Sequence, residues 1–193
     1  LILILLLSSK HYAVYTTPTQ PQNINPLPLQ DSILPLQSLI TPLWSYYVVV
    51  GVGPSPALGD VDGDGKLEVV IGSDDYNVYA LNGENGSLLW SYATDGMIYS
   101  TQALGDVDGD GKLEVIVSSY DHRMYVLNGE DGSLLWSYTT GNIVESSPAL
   151  GDVDGDGKLE VVVSSWDDKV YALNGEDGSL LWSYTTNSSV GSS

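Results

Sequence analysis

The chain is predicted to be all-β, built from consecutive four-stranded antiparallel units, on three observations. First, it repeats with a period of 46 residues: Trp44, Trp90, Trp136 and Trp182 are evenly spaced, as are Asp60, Asp106 and Asp152, and Asn82, Asn128 and Asn174. Second, each repeat carries the same succession of short runs ("SPALGD", "EVVVSS", "KVYALN", "LLWSYTT"), separated by Gly, Asp and Asn turns and without a helical period. Third, the runs "VVI", "VIV" and "VVV" are apolar on both faces, so these strands must be covered on both sides. Stacked four-stranded sheets supply that cover, and a period of about 40–50 residues with four strands is that of β-propeller blades. Three clear blades are expected at roughly 52–93, 98–139 and 144–186, within a repeat region spanning 44–193.

The residues before the repeats fall into two parts. Residues 1–17 begin "LILILLLSS", which matches the apolar region of a signal peptide with Ser8 and Ser9 near its cleavage site. Seven apolar residues are too few to span a bilayer, and the stretch is read here as a buried strand. Aligning Ser8-Ser9 with Ser118-Ser119 sets Tyr15 opposite Tyr125 and "LILILLL" opposite "LEVIV", with Trp44 closing a degenerate fourth unit. Residues 18–43 largely coincide with Thr16–Pro42, rich in Pro, Gln and Thr, a composition that prevents regular ladders and favours an extended arm or a long surface loop. Three arrangements fit: a small propeller closed by its termini, part of a larger ring, or a unit completed by a neighbouring chain.

Charge narrows the partners. The chain of 193 residues holds 25 acids and 6 bases, a formal net charge of −19, which argues against nucleic acid and against an anionic membrane surface. Twelve of those acids lie in three copies of one loop, "DVDGDGKLE". Cysteine is absent, so neither a disulfide nor thiol chemistry is available.

Four carboxylates in nine positions repel one another unless a cation offsets the charge. Calcium takes six to eight oxygens, commonly from alternate residues of a tight loop. In the first copy Asp60, Asp62 and Asp64 supply carboxylates, the Lys66 carbonyl can point inward, and Glu68 closes the shell. The second copy offers Asp106, Asp108, Asp110, Lys112 and Glu114, and the third Asp152, Asp154, Asp156, Lys158 and Glu160. An EF-hand is rejected, because its twelfth position is Ile71, Val117 or Val163 inside a strand rather than a glutamate before a helix. Magnesium prefers water-rich octahedra to all-protein cages. The competing reading is a solvated acidic turn, since Asp-Gly is common in turns; three copies at one spacing favour the metal.

The loop "DVDGDGKLE" resembles the FG-GAP/VCBS repeat, the calcium-binding blade of integrin-α-type propellers. The second half of each repeat, "YALNGENGSLLWSY", resembles the PQQ-like propeller repeat with its docking tryptophan. Together the two patterns cover residues 52–186 and imply a propeller holding about one Ca2+ per acidic loop, three in total. Quinone-dependent dehydrogenases share the tryptophan motif, but the chain has no cysteine pair, so that resemblance concerns blade packing.

No catalytic set is recognisable. His11 and His122 lack counterparts in the other repeats, and His122 reads as a solvent-facing turn residue. No G-x-S-x-G elbow is present. The turns at Asn82, Asn128 and Asn174 read as tight turns, Asn and Gly tolerating positive φ. Trp90, Trp136 and Trp182 read as core. Trp166 replaces Tyr120 in a turn, where it is expected to be more exposed and a modest candidate for sugar contact. Asn85 and Asn187 fit the glycosylation acceptor pattern, which is short and frequent by chance.

The expected function is therefore a non-enzymatic, extracellular or cell-surface calcium-binding propeller. It would self-associate into a filament or layer by lending its N-terminal strand to a neighbour's open sheet edge. The alternative is an adhesin or lectin-like module of a larger cell-surface protein, recognising a glycan or a protein through its turns. No transmembrane span is expected.

Overall fold

Twelve strands form three sheets in a computed structural model that describes residues 42–48 and 50–188. The first sheet contains β1 (Ala57–Gly59), β2 (Glu68–Gly72), β3 (Asn77–Asn82) and β4 (Leu88–Ala93). The second contains β5 (Ala103–Gly105), β6 (Glu114–Ser118), β7 (Arg123–Asn128) and β8 (Leu134–Thr139). The third contains β9 (Ala149–Gly151), β10 (Glu160–Ser165), β11 (Lys169–Asn174) and β12 (Leu180–Thr185). Each is an antiparallel meander in sequence order, and no helix occurs among the described residues. The first strands neighbour one another, β1 beside β5 and β5 beside β9, so each sheet turns its short strand toward a common inner side. The expected "LILILLL" strand, the Pro-rich arm before residue 42 and the degenerate fourth unit lie outside the described residues.

The double-sided apolar runs are buried as their composition requires. Val69, Val70, Val115, Ile116 and Val117 are all fully buried in β2 and β6. Two clusters fill the gaps between the sheets. One joins Val70, Val78 and Trp90 to Val115, Val117 and Tyr125; the other joins Ile116, Met124 and Trp136 to Val161, Val163 and Tyr171.

Tryptophan locks one sheet to the next. The Trp90 Nε1–H donates to the Gly129 carbonyl at 2.6 Å, and Trp136 Nε1–H donates to Gly175 at 2.7 Å. The indole lies so close over the following sheet's last turn that a Cβ on Gly132 would fall 2.6 Å from Trp90, and Gly132 also holds φ +71°. Beside each indole, Tyr92 tilts against Tyr125 at 5.7 Å and Tyr138 against Tyr171 at 5.6 Å. Tyr46 makes the same contact with Tyr79 at 5.9 Å, so the segment carrying it stands where β4 and β8 stand for the later sheets.

Trp182 departs from the core reading. It is 43% exposed, where Trp90 is 7% and Trp136 9% exposed, because no sheet follows β12 among the described residues to cover it. The asparagine turns are tight as expected, the Gly86, Gly132 and Gly178 amides donating back to the Asn82, Asn128 and Asn174 carbonyls. Positive φ falls on Gly86, Gly132 and Gly178 rather than on asparagine. In the first sheet, Asn82 instead accepts the Glu84 amide through its side-chain oxygen at 3.0 Å. His122 is an exposed turn residue at φ +72°, and its carbonyl accepts the Thr140 amide at 2.8 Å.

Candidate metal centres in the acidic loops

Each acidic loop joins the short first strand of a sheet to its buried second strand, so its closing glutamate is the first residue of a core strand. Glu68, Glu114 and Glu160 open β2, β6 and β10 and are 0%, 1% and 2% exposed. A carboxylate so deeply buried must be hydrogen-bonded, protonated or paired with a cation.

The loops fold back through their own amides. Asp60 accepts the Gly65 N–H at 3.0 Å, Asp62 the Asp64 N–H at 3.1 Å, and Asp64 the Lys66 N–H at 2.8 Å. Glu68 accepts the Val61 N–H at 3.1 Å through Oε2. The second loop repeats the plan, with Asp106 accepting from Gly109 at 2.8 Å and Gly111 at 3.0 Å, and Glu114 from Val107 at 2.8 Å. In the third, Asp152 accepts from Gly155 at 2.6 Å and Gly157 at 3.0 Å, and Glu160 from Val153 at 2.7 Å. Gly111 stands at φ +90°, which lets its amide turn inward to Asp106.

This folding brings together part of each expected ligand set. Asp60, Asp62 and Glu68 each place one carboxylate oxygen within 4.8 Å of the others, as do Asp106, Asp108 and Glu114, and Asp152, Asp154 and Glu160. Asp64, Asp110 and Asp156 stand outside these triads and accept the backbone N–H of Lys66, Lys112 and Lys158. The lysine ammonium groups reach the β3–β4 turn and its equivalents, Lys66 meeting Glu84 at 2.6 Å, Lys112 Glu130 at 2.5 Å and Lys158 Glu176 at 2.7 Å, while Lys66 also stays 3.7 Å from Asp64. These pairs are about half exposed and add little stability; they tie each acidic loop to the neighbouring turn.

The electrostatics register the crowding. Burial pushes the Glu114 carboxyl up to about 7; the charges of Asp108 and Asp110 add to this, and the Val107 amide opposes it. Glu68 is raised for the same reason, with Asp60, Asp62 and Asp64 all adding to the effect of burial. In the first loop Asp60 Oδ1 and Glu68 Oε1 are buried without a hydrogen-bond partner. Oxygen-only donors, two of them orphaned and anionic, fit a hard divalent cation such as calcium.

At the opposite end of the sheets stands a group the sequence did not assemble. The Tyr120 hydroxyl donates to Glu145 at 2.6 Å, and the Trp166 indole N–H donates to the other oxygen of Glu145 at 3.1 Å. Tyr99 tilts against Tyr120 with ring centroids 4.8 Å apart. Trp166 is 44% exposed, in keeping with its expected turn position, but Tyr99 and Glu145 carried no motif. The signal available for them was their divergence from Gly53, the residue at the same place in the first repeat.

Comparison with known proteins bears on the fold. BamB from Moraxella catarrhalis superposes with a TM-score of 0.58 at 18% identity, over 75% of this chain and 40% of that one. The biofilm matrix protein Bap1 of V. cholerae gives 0.56 at 26% identity, over 77% of this chain and 23% of Bap1. The quinohemoprotein alcohol dehydrogenase ADHIIG from Pseudomonas putida HK5 gives 0.56 at 19% identity, over 74% and 22%. The chain thus spans less than half the length of each of these structures. No curated protein sequence matches it. The model of the family described as outer membrane protein assembly factor BamB matches residues 42–193, and with its docking tryptophans and four-stranded blades the chain belongs to that PQQ-like propeller family.

Proposed function

We propose that the chain is a non-enzymatic, calcium-binding propeller element of an extracellular or cell-envelope protein, with a structural role. The observation that carries this reading is the buried glutamate opening each core strand, held within 4.8 Å of two aspartates in all three loops. Asp60, Asp62 and Glu68, with their equivalents, would hold the ion. Bound there, calcium would supply the positive charge that offsets the clustered carboxylates and would take their oxygens as ligands. The chain's own residues do the rest: the loop amides fix the aspartates, and the glutamate joins the loop to the core strand.

The resemblance to FG-GAP/VCBS loops supports the choice of calcium. The likeness to a biofilm matrix protein and to an outer-membrane assembly factor supports an envelope or extracellular setting. No helix among the described residues is long and apolar enough to cross a membrane. The likeness to an alcohol dehydrogenase is one of fold, at 19% identity.

Self-association is supported by the outer face of the third sheet. Val153 is 48% exposed where Val61 and Val107 are 1% exposed, and Tyr184 is 67% exposed. Gly151 has nothing near its Cβ position, whereas Gly59 faces Leu104 and Gly105 faces Leu150 of the next sheet. A further sheet, of this protein or of a second copy, would fit that face by the packing already used twice within the chain. Sedimentation velocity in millimolar calcium and after chelation tests the assembly: large species that dissociate on chelation are expected, and a monomer under both conditions contradicts it. A second reading, a glycan- or protein-binding adhesin module, is favoured by the exposed Trp166 and its neighbours.

A further inference from the structure

The three repeats differ at one end of the sheets far more than at the other. Residues 57–69, 103–115 and 149–161, which contain the acidic loops, are identical, "ALGDVDGDGKLEV". The turns "LNGENGSLLWSY" and "LNGEDGSLLWSY", which the lysine ion pairs place at the same end, differ at a single position. Divergence gathers in the β2–β3 turns and in the connections entering each first strand, at the opposite end. One column reads Asp74, Tyr120, Trp166, and another reads Gly53, Tyr99, Glu145. Near-identical units need no such variety to pack, so the variety marks where the units have been made unequal.

The two columns meet in space as one continuous row. A Cβ on Gly53 would lie 3.0 Å from the Tyr99 ring. Tyr99 tilts on Tyr120, the Tyr120 hydroxyl grips Glu145, and Glu145 is gripped again by the Trp166 indole. Tyr99 and Trp166 remain 40% and 44% exposed. Glu145 is therefore fixed in position by one bond to each oxygen while both oxygens keep further lone pairs. At the far end of the row, Asp74 has one carboxylate oxygen without a hydrogen-bond partner.

We infer that this row is a binding subsite for a neutral polysaccharide, with Tyr99 and Trp166 stacking on pyranose faces and Glu145 accepting sugar hydroxyls. The inference rests on the binding-module reading above. Exposed rings beside a rigid acceptor suit a ligand with alternating C–H faces and hydroxyl edges. No Lys or Arg belongs to the row and the chain carries −19, so an acidic polysaccharide is disfavoured. Rings in mutual contact form a ridge rather than a box, which suits stacking better than enclosure of an ammonium group.

The test is calorimetric and fluorescence titration of the full chain, in calcium, with cellohexaose, laminarihexaose, maltohexaose and chitohexaose, alongside tetramethylammonium as a cationic probe. Binding of at least one hexaose is expected, weakened at least about tenfold in Trp166→Ala and in Tyr99→Ala. Leu88→Ala, at an exposed position on the first sheet's last strand near its acidic end, should leave it unchanged. Circular dichroism of each variant separates lost binding from lost fold, and Trp166→Tyr, which restores the residue of the second repeat, should recover part of the affinity. Hexaose binding that survives Trp166→Ala overturns the subsite while leaving a binding module standing. Binding of no hexaose, or of tetramethylammonium alone, overturns the inference together with its glycan ligand.

Discussion

Glu114 is a carboxyl held among other carboxyls, and its pKa of about 7 against an ordinary value of 4.5 sets a sign that can be measured. A carboxyl whose folded pKa lies above its unfolded value keeps its full contribution to stability below the unfolded pKa and loses it as pH rises through the folded one. Glu68 is shifted in the same direction. Metal-free protein should therefore melt at progressively lower temperature as pH rises from about 4.5 to 7. Calcium needs the ionised carboxylates, so the rise in melting temperature it produces should grow over the same window. Melting curves with calcium and with chelator check both slopes, and parallel curves would contradict them. Trp136 offers a second test at this scale. Trp136→Phe leaves the Gly175 carbonyl without its donor and should cost about 1–3 kcal/mol. Trp182→Phe alters an exposed indole and should stay within about 0.5 kcal/mol in dilute protein, as denaturant titration would show.

At the scale of the element, the sequence fixes the strands through the local rules they obey. Each "EVV" or "EVI" run is a core strand because both its faces are apolar, and each indole docks because the next repeat supplies a glycine beneath it. Gly132→Ala places a methyl group against Trp90 and puts a side chain at φ +71°, so it should destabilise by roughly 2 kcal/mol or more. Gly109→Ala, at φ +82° but with open space around it, should cost about 1 kcal/mol; chemical denaturation ranks the two. The acidic loops were legible because a metal-ligand pattern is local, four acids in nine positions. The division of labour within them was not. Asp64 bonds to an amide two residues on, and whether a short side chain faces inward or bonds its own turn depends on backbone angles that spacing leaves open. The Tyr120–Glu145 bond was illegible for another reason. It joins residues 25 apart, brought together only because the connection entering one sheet runs beside a turn of the sheet before it.

For the whole molecule, the repeat carries its own docking rule. A tryptophan, a tyrosine and an open glycine on one sheet receive a glycine carbonyl, a second tyrosine and a leucine from the next, and the rule is satisfied twice within the chain. At the third sheet Trp182 and Tyr184 stay exposed, which is why the core reading of Trp182 failed while that of Trp90 and Trp136 held. Period and motif predict how units join; they do not say what covers the last one. The acidic ends of all three sheets share one plan, an Asp-Asp-Glu group that could hold a metal ion, and the opposite ends carry what is individual to each. The most direct test is calorimetric titration of chelator-treated protein with calcium at pH 7.5. About three ions per chain are expected to bind, falling to about two in Glu114→Gln, with magnesium binding far more weakly. Absence of binding heat and of any calcium-dependent rise in melting temperature would contradict the metal reading and leave the three loops as solvated acidic turns.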